Sequence, residues 1–224
     1  MIRIAVLVSG GGTNLQALIN AWKAQELGEG ELSLVISSRP LAGAIQRAKD
    51  AGIKTMVIEK KRNADISAFD DELADALSEN KINLVVLAGF LSILGPKVLK
   101  SYENKIINVH PSLIPSFCGK GFYGLRVHEE ALKYGVKVTG ATVHFVNEIV
   151  DGGKIILQKA VDVLPDDTPE SLQLRVMREG EWMLLPKAVA MFCKGEIFPD
   201  NLKLSGNSDC KCLTTCKASS QTII

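Results

Sequence analysis

Asn108-Val109-His110-Pro111-Ser112 places a carboxamide and an imidazole two residues apart at the carboxyl end of a predicted strand. Residues two apart on a strand share a face, so Asn108 and His110 converge on one point. An amide N–H at that point can hold a developing oxyanion, and an imidazole can move the proton that acyl transfer needs. Histidines are few, three in all. His128 sits at a helix start and His144 alternates within Val143-His144-Phe145-Val146, positions that suit purely structural roles. Asp151 precedes Gly152-Gly153, a turn whose backbone bends freely, so its carboxylate can reach back over the sheet edge. A surface turn aspartate is the plain alternative.

A second group lies near the start, where Ile4-Ala5-Val6-Leu7-Val8 runs into Ser9-Gly10-Gly11-Gly12-Thr13-Asn14 and a helix pattern follows. Free backbone N–H groups at a helix start attract an anion, and glycines let a phosphate approach the backbone. Gly12, Thr13 and Asn14 are the candidate phosphate contacts; a tight turn that holds nothing is the alternative. A dinucleotide fingerprint is not met, because Leu15 stands where the third glycine belongs and Ser37-Ser38-Arg39 lacks the acidic ribose ligand. Arg39 keeps an NADP reductase open as a minor reading.

These groups need a scaffold, and the apolar pattern supplies it. Strands are predicted at 4–8, 32–36, 55–58 and 84–87, alternating with helices over 42–51 and 66–77 and one beginning near Leu15. Such alternation predicts an α/β fold, a mostly parallel sheet flanked by helices. After Ile107 the rhythm changes. A long Pro/Gly loop over 111–124 is followed by a helix over 127–134 and two strands, 136–146 and 154–163, that read as an antiparallel hairpin. Thr168-Pro169-Glu170 then opens a long helix, which Pro186 is expected to kink or shift.

Composition bounds the function. The 26 Lys and Arg against 25 Asp and Glu leave a net charge of +1, so no charge excess recruits nucleic acid or an anionic membrane. No apolar run reaches the roughly 18 residues of a membrane span, and the chain opens straight into a strand pattern, so it reads as cytoplasmic. Five cysteines, an odd number, argue for reduced thiols. Cys210, Cys212 and Cys216 fall in a Ser-, Thr- and Lys-rich segment without histidine; a disordered tail over 205–224 is expected, and no metal.

Taken with Leu87-Ala88-Gly89-Phe90, Leu113-Ile114-Pro115 and Val150-Asp151-Gly152-Gly153, these blocks stand in an order that resembles phosphoribosylglycinamide formyltransferase over about 1–198. The resemblance implies one formyltransferase-fold domain over 1–204, with a Rossmann-like phosphate-binding half over 1–107 and a catalytic, folate-binding half over 108–204. It implies transfer of the formyl group of 10-formyltetrahydrofolate to the amino group of glycinamide ribonucleotide in purine biosynthesis, with these small molecules as the partners. Asn108, His110 and Asp151 take the catalytic roles, with His110 as imidazolium supplying the proton and Asp151 favouring that charge. Gly12, Thr13 and Asn14 take the phosphate, Glu181 the ribose hydroxyls, and Leu91, Ser92, Ile93, Leu94, Asn108, Val146 and Glu148 the folate. Many relatives carry arginine where this chain has Ser92, and some where it has Ile66, which bears on affinity for the folate tail. Formyltetrahydrofolate deformylase is the nearest rival, but it carries an extra N-terminal domain and typically a second histidine where Pro111 stands. Methionyl-tRNA formyltransferase needs an RNA-binding domain that the residues after Phe198 are too few to form. A catalytically silent ligand-binding protein has no use for Asn108, His110 and Asp151 together.

Overall fold

The computed structural model describes residues 1–60 and 66–198. The expected tail over 205–224, with its three cysteines, lies outside the described residues. Strand β1 (Ile2–Val8) is followed by α1 (Thr13–Lys23), β2 (Gly30–Ser37), α2 (Gly43–Asp50), β3 (Lys54–Val57), α3 (Ile66–Glu79), β4 (Leu84–Leu87), α4 (Pro96–Ser101) and β5 (Ile106–His110). Then come α5 (Leu125–Tyr134), β6 (Val138–Phe145), β7 (Ile155–Asp162), α6 (Pro169–Val176), a π-helical turn (Met177–Glu181) and α7 (Trp182–Cys193).

All seven strands form one sheet in the order β3-β2-β1-β4-β5-β6-β7. The first five are parallel, and β6 and β7 join antiparallel. The sheet is covered on both faces, as the continuous apolar runs of β1 and β4 require. In β1, Ile4, Val6 and Val8 pack with α1, α2, α6 and α7, while Ala5 and Leu7 pack with α3 and α4. The same alternation orients the last parallel strand. Ile107 and Val109 join the first cluster, as do Ala141, Val143 and Phe145 of β6. Asn108, His110, Thr142 and His144 therefore share the opposite face.

Thr168 and Ser171 close a reciprocal cap on α6, with Pro169 in the first turn, as the sequence indicates. The expected disturbance by Pro186 takes the form of the π turn one helical turn upstream. A proline cannot donate to the carbonyl four residues back, and a widened preceding turn makes room for its ring. The π turn also brings Gly180 against β6, where an added Cβ would lie 2.9 Å from that of Ala141.

Helix α4 has no counterpart in the sequence reading, although Gly95-Pro96 is a fair start signal. Its N-cap is Gly95, which has no side chain to offer. The cap comes from α3: Asp70, 2% exposed, accepts from the backbone N–H groups of Gly95, Lys97 and Val98 at 3.0, 2.7 and 3.3 Å. A carboxylate at that helix start meets orphan donors and the positive end of the dipole together. Asp70→Ala leaves those donors buried and unpaired, and is expected to lower unfolding free energy by roughly 2 kcal/mol. Urea unfolding with an unchanged midpoint would count against this cap.

Candidate active site

The pairing of β5 with β6 sets Asn108 opposite His144 and His110 opposite Thr142. Asp151 then comes back over them. Its backbone is left-handed at φ 55°, which aspartate tolerates in turns, and the return passes so close to β6 that a Cβ on Gly153 would lie 1.7 Å from the Phe145 carbonyl. Asp151 Oδ2 accepts from the Gly119 N–H at 2.8 Å and lies 3.6 Å from His110 Nδ1, while Oδ1 lies 3.7 Å from His144 Nε2. All three side chains are at most 10% exposed.

The segment over 111–124, with no helix or strand, supplies the rest of the frame. The Phe117 carbonyl accepts from His110 Nε2 at 2.9 Å, and the Phe117 ring meets those of Phe122 and Tyr134. Because a carbonyl only accepts, His110 Nε2 carries a proton, and Nδ1 is the nitrogen that gains or loses one. By the same logic His144 Nδ1 donates to the Phe145 carbonyl at 2.8 Å. Its Nε2, 3.1 Å from Asn108 Nδ2, accepts from the amide in the neutral ring. That bond uses one amide N–H of Asn108 and leaves the second for another acceptor.

Burial lowers the His110 pKa below its ordinary 6.5; Asp151 and the Phe117 carbonyl oppose this in part, and His144 adds to the lowering. The expectation of an imidazolium at neutral pH is thus corrected. Asp151 acts in the anticipated direction, but desolvation outweighs it. Asp151 itself is pushed up by burial, yet His144, His110 and the Gly119 N–H together bring it below the usual carboxylate value. His144, left among structural residues in the sequence reading, is the member of the cluster that sequence reasoning missed. Its signal was the face it shares with Thr142 in β6, readable only once the pairing with β5 is known.

Gly12 is the N-cap of α1 with φ 77°, and its missing Cβ would lie 2.7 Å from Ala44 Cα. A side chain there meets α2 rather than the anion space, so the glycine is needed for helix packing as well as for approach. Thr13 begins α1. The Asn14 amide is turned toward Glu181 and donates to Oε2 at 2.5 Å. Glu181, 4% exposed at the end of the π turn, is raised from 4.5 to about 7 by burial, with the Asn14 bond pulling the other way.

Of the expected folate residues, Leu91 and Ile93 are exposed at 47% and 61%, Ser92 and Val146 are half-buried, and Glu148 is exposed. Leu94 belongs to the core beside α3 and α4. Ser9 Oγ holds this segment in place, accepting from the Leu91 N–H at 2.9 Å and lying 2.6 Å from Ser38 Oγ. Among the described residues no group of His, Cys, Asp or Glu is arranged to hold a metal ion, and no helix is long and apolar enough to cross a membrane.

A family model described as formyl transferase matches residues 2–189. The chain belongs to the formyl transferase family. Phosphoribosylglycinamide formyltransferase of Haemophilus influenzae is 39% identical over 203 residues, which are 90% of this chain and 92% of that protein. The trifunctional purine biosynthetic protein adenosine-3 of Drosophila melanogaster is 42% identical over 194 residues, 86% of this chain, but the match spans only 14% of that much longer protein. The solved structure of glycinamide ribonucleotide transformylase 1 from Symbiobacterium toebii superposes with a TM-score of 0.81 at 42% identity, covering 87% of this chain and 89% of that one. That of phosphoribosylglycinamide formyltransferase from Bacillus halodurans gives 0.80 at 36%, covering 87% and 97%.

Two outcomes follow from the electrostatics of this formyl transferase. Asp151→Asn is expected to move the NMR titration of His110 further below that of the wild type, because it removes the charge that favours the cation. An unshifted titration would separate Asp151 from His110. Glu181 gives a stability signature of opposite sign. Between pH 4.5 and about 7 the native state holds a proton on Glu181 that the unfolded chain has released, so its contribution is lost as pH rises through that window. Glu181→Gln removes that loss, and its stability relative to wild type is expected to climb across the window by on the order of 1–3 kcal/mol. Parallel urea curves at pH 4.5, 6 and 7.5 read the difference directly; a constant difference would place the Glu181 proton elsewhere.

Proposed function

We propose that this protein transfers the formyl group of 10-formyltetrahydrofolate to the amino group of glycinamide ribonucleotide, a step of purine biosynthesis, as a cytoplasmic enzyme. The observation that carries the reading is the convergence of Asn108, His110, His144 and Asp151 on one face of the sheet. The near-complete match to the Haemophilus influenzae protein supports it, and the deformylase alternative has no comparable support.

The reaction forms a bond between the amine nitrogen and the formyl carbon, and breaks the bond from that carbon to the folate nitrogen. One proton must leave the amine and one must reach the departing nitrogen. A neutral His110 suits both duties in turn: Nδ1 accepts the amine proton as the tetrahedral species forms and returns it to the leaving nitrogen. Asp151 stabilises the transient imidazolium, and the Phe117 carbonyl keeps the ring from turning. The remaining N–H of Asn108, whose amide is oriented by His144, faces the oxyanion. Gly12 and Thr13 with the start of α1 serve the phosphate, Asn14 and Glu181 the ribose side, and Leu91 to Leu94 with Val146 and Glu148 the folate.

Release of tetrahydrofolate from 10-formyltetrahydrofolate is expected only when glycinamide ribonucleotide is present. Release without the amine would make the protein a hydrolase. His110→Ala should reduce turnover by roughly 10²–10⁴, the usual worth of a positioned acid–base group, with ribonucleotide affinity retained in calorimetry. Because the neutral ring starts the reaction, kcat/KM should fall as pH drops through the His110 titration.

A further inference from the structure

Two peptide groups of the 111–124 segment set the chemistry, although the segment has no helix or strand of its own. The Phe117 carbonyl fixes His110 Nε2, and the Gly119 N–H donates to Asp151. A backbone with that duty must itself be held. The Phe117 ring, against Phe122 and Tyr134, is one anchor. The other lies on the sheet, where Thr142 of β6 stands directly opposite Gln158 of β7.

Thr142 is fully buried, and its hydroxyl donates to the Ser112 carbonyl at 2.7 Å while accepting from the Ile114 N–H at 3.1 Å and from Gln158 Nε2 at 3.0 Å. One donor and two acceptor positions are all that a hydroxyl has. With both acceptor positions filled by N–H groups, its hydrogen is left to Ser112. Gln158 Nε2 also donates to the Ile114 carbonyl at 3.0 Å, so Ile114 is pinned through both of its peptide groups. Further along, Ser112 Oγ donates to the Ser116 carbonyl at 2.5 Å and the Ser116 N–H to the Leu113 carbonyl at 2.9 Å. Residues 112–116 are thereby tied into one unit, and Phe117 is the next residue in the chain. Gln158 is exposed, and no hydrogen bond joins it to Asn108, His110, His144 or Asp151.

We propose that Gln158 is a positioning residue for formyl transfer: its amide, acting through Thr142 and Ile114, holds residues 112–116 so that the Phe117 carbonyl and the Gly119 N–H stay on His110 and Asp151. The proposal rests on the transferase reading above. The role calls for a donor, because both atoms that the amide meets are oxygens with electron pairs to offer. His110 is the reporter, since the Phe117 carbonyl is one of the groups that raise its pKa. The other groups acting on that ring, Asp151, His144 and His128 of α5, keep their side chains when position 158 is changed.

The test compares Gln158→Met, Gln158→Glu and Gln158→Lys with the wild type, by steady-state kinetics and by NMR titration of His110 without substrates. The methionine variant keeps the length and loses the donors. Its kcat should fall by roughly 2- to 30-fold, the worth of one or two hydrogen bonds, with both KM values little changed. Its His110 titration should move below that of the wild type. The glutamate variant, which sets a carboxylate against two oxygens, should lose at least as much in kcat. Lysine restores donors on a stem of similar reach and should recover both kcat and the titration. Wild-type kcat and an unshifted titration in the methionine and glutamate variants would overturn the proposal, even with a lowered Tm, since Gln158 would then serve stability alone. A loss confined to KM would overturn it as well. A shifted titration in a protein that transfers no formyl group would sink the transferase reading and leave the hold on the loop standing.

Discussion

The carboxylate of Asp151 is the charge around which the site is arranged. It is nearly buried, and a buried carboxylate persists in ionised form only where donors replace the water it has lost. Its neighbours come from three parts of the chain: the Gly119 N–H of the long loop donates to it, and the His110 ring of β5 and the His144 ring of β6 lie 3.6 and 3.7 Å away. Each depends on a local device. The loop is anchored through the Phe117 ring and carbonyl, the two histidines are set by the antiparallel register, and the return of the chain to Asp151 needs a residue without a side chain at 153. Remove any one and the carboxylate loses a partner or its position.

Two other buried carboxylates show how environment decides the use of the same group. Asp70 has three backbone donors and closes the start of α4, a structural task that fixes the end of the segment carrying Leu91 to Leu94. Glu181 has one donor, the Asn14 amide, and burial drives it toward the neutral acid. A half-satisfied polar pair in a closed place is costly without a ligand, and hydroxyl groups from a sugar are partners of the right kind. The π turn that ends on Glu181 fits this account, since such turns re-aim a side chain that a regular helix would point elsewhere.

His110 shows why proximity of opposite charges is an incomplete guide to protonation. The resemblance implied an imidazolium at His110, with Asp151 favouring that charge. In the folded protein His110 is 4% exposed, and desolvation is the larger effect. The neutral ring is better suited to a reaction whose first need is to take a proton.

The sequence by itself determined what depends on neighbours along the chain. The α/β class follows from apolar periodicity, the glycine turn before α1 from its composition, the cap of α6 from Thr168-Pro169, and the pairing of Asn108 with His110 from the two-residue repeat of a strand. Tertiary structure decided what depends on residues far apart. Helix α4 starts on a carboxylate 25 residues upstream, so no local pattern announces it. His144 reads as one more alternating strand residue until β6 is registered against β5. The protonation of His110 required its burial. Local periodicity fixes which elements form, but contact between distant segments sets solvation and charge, and those carry the chemistry.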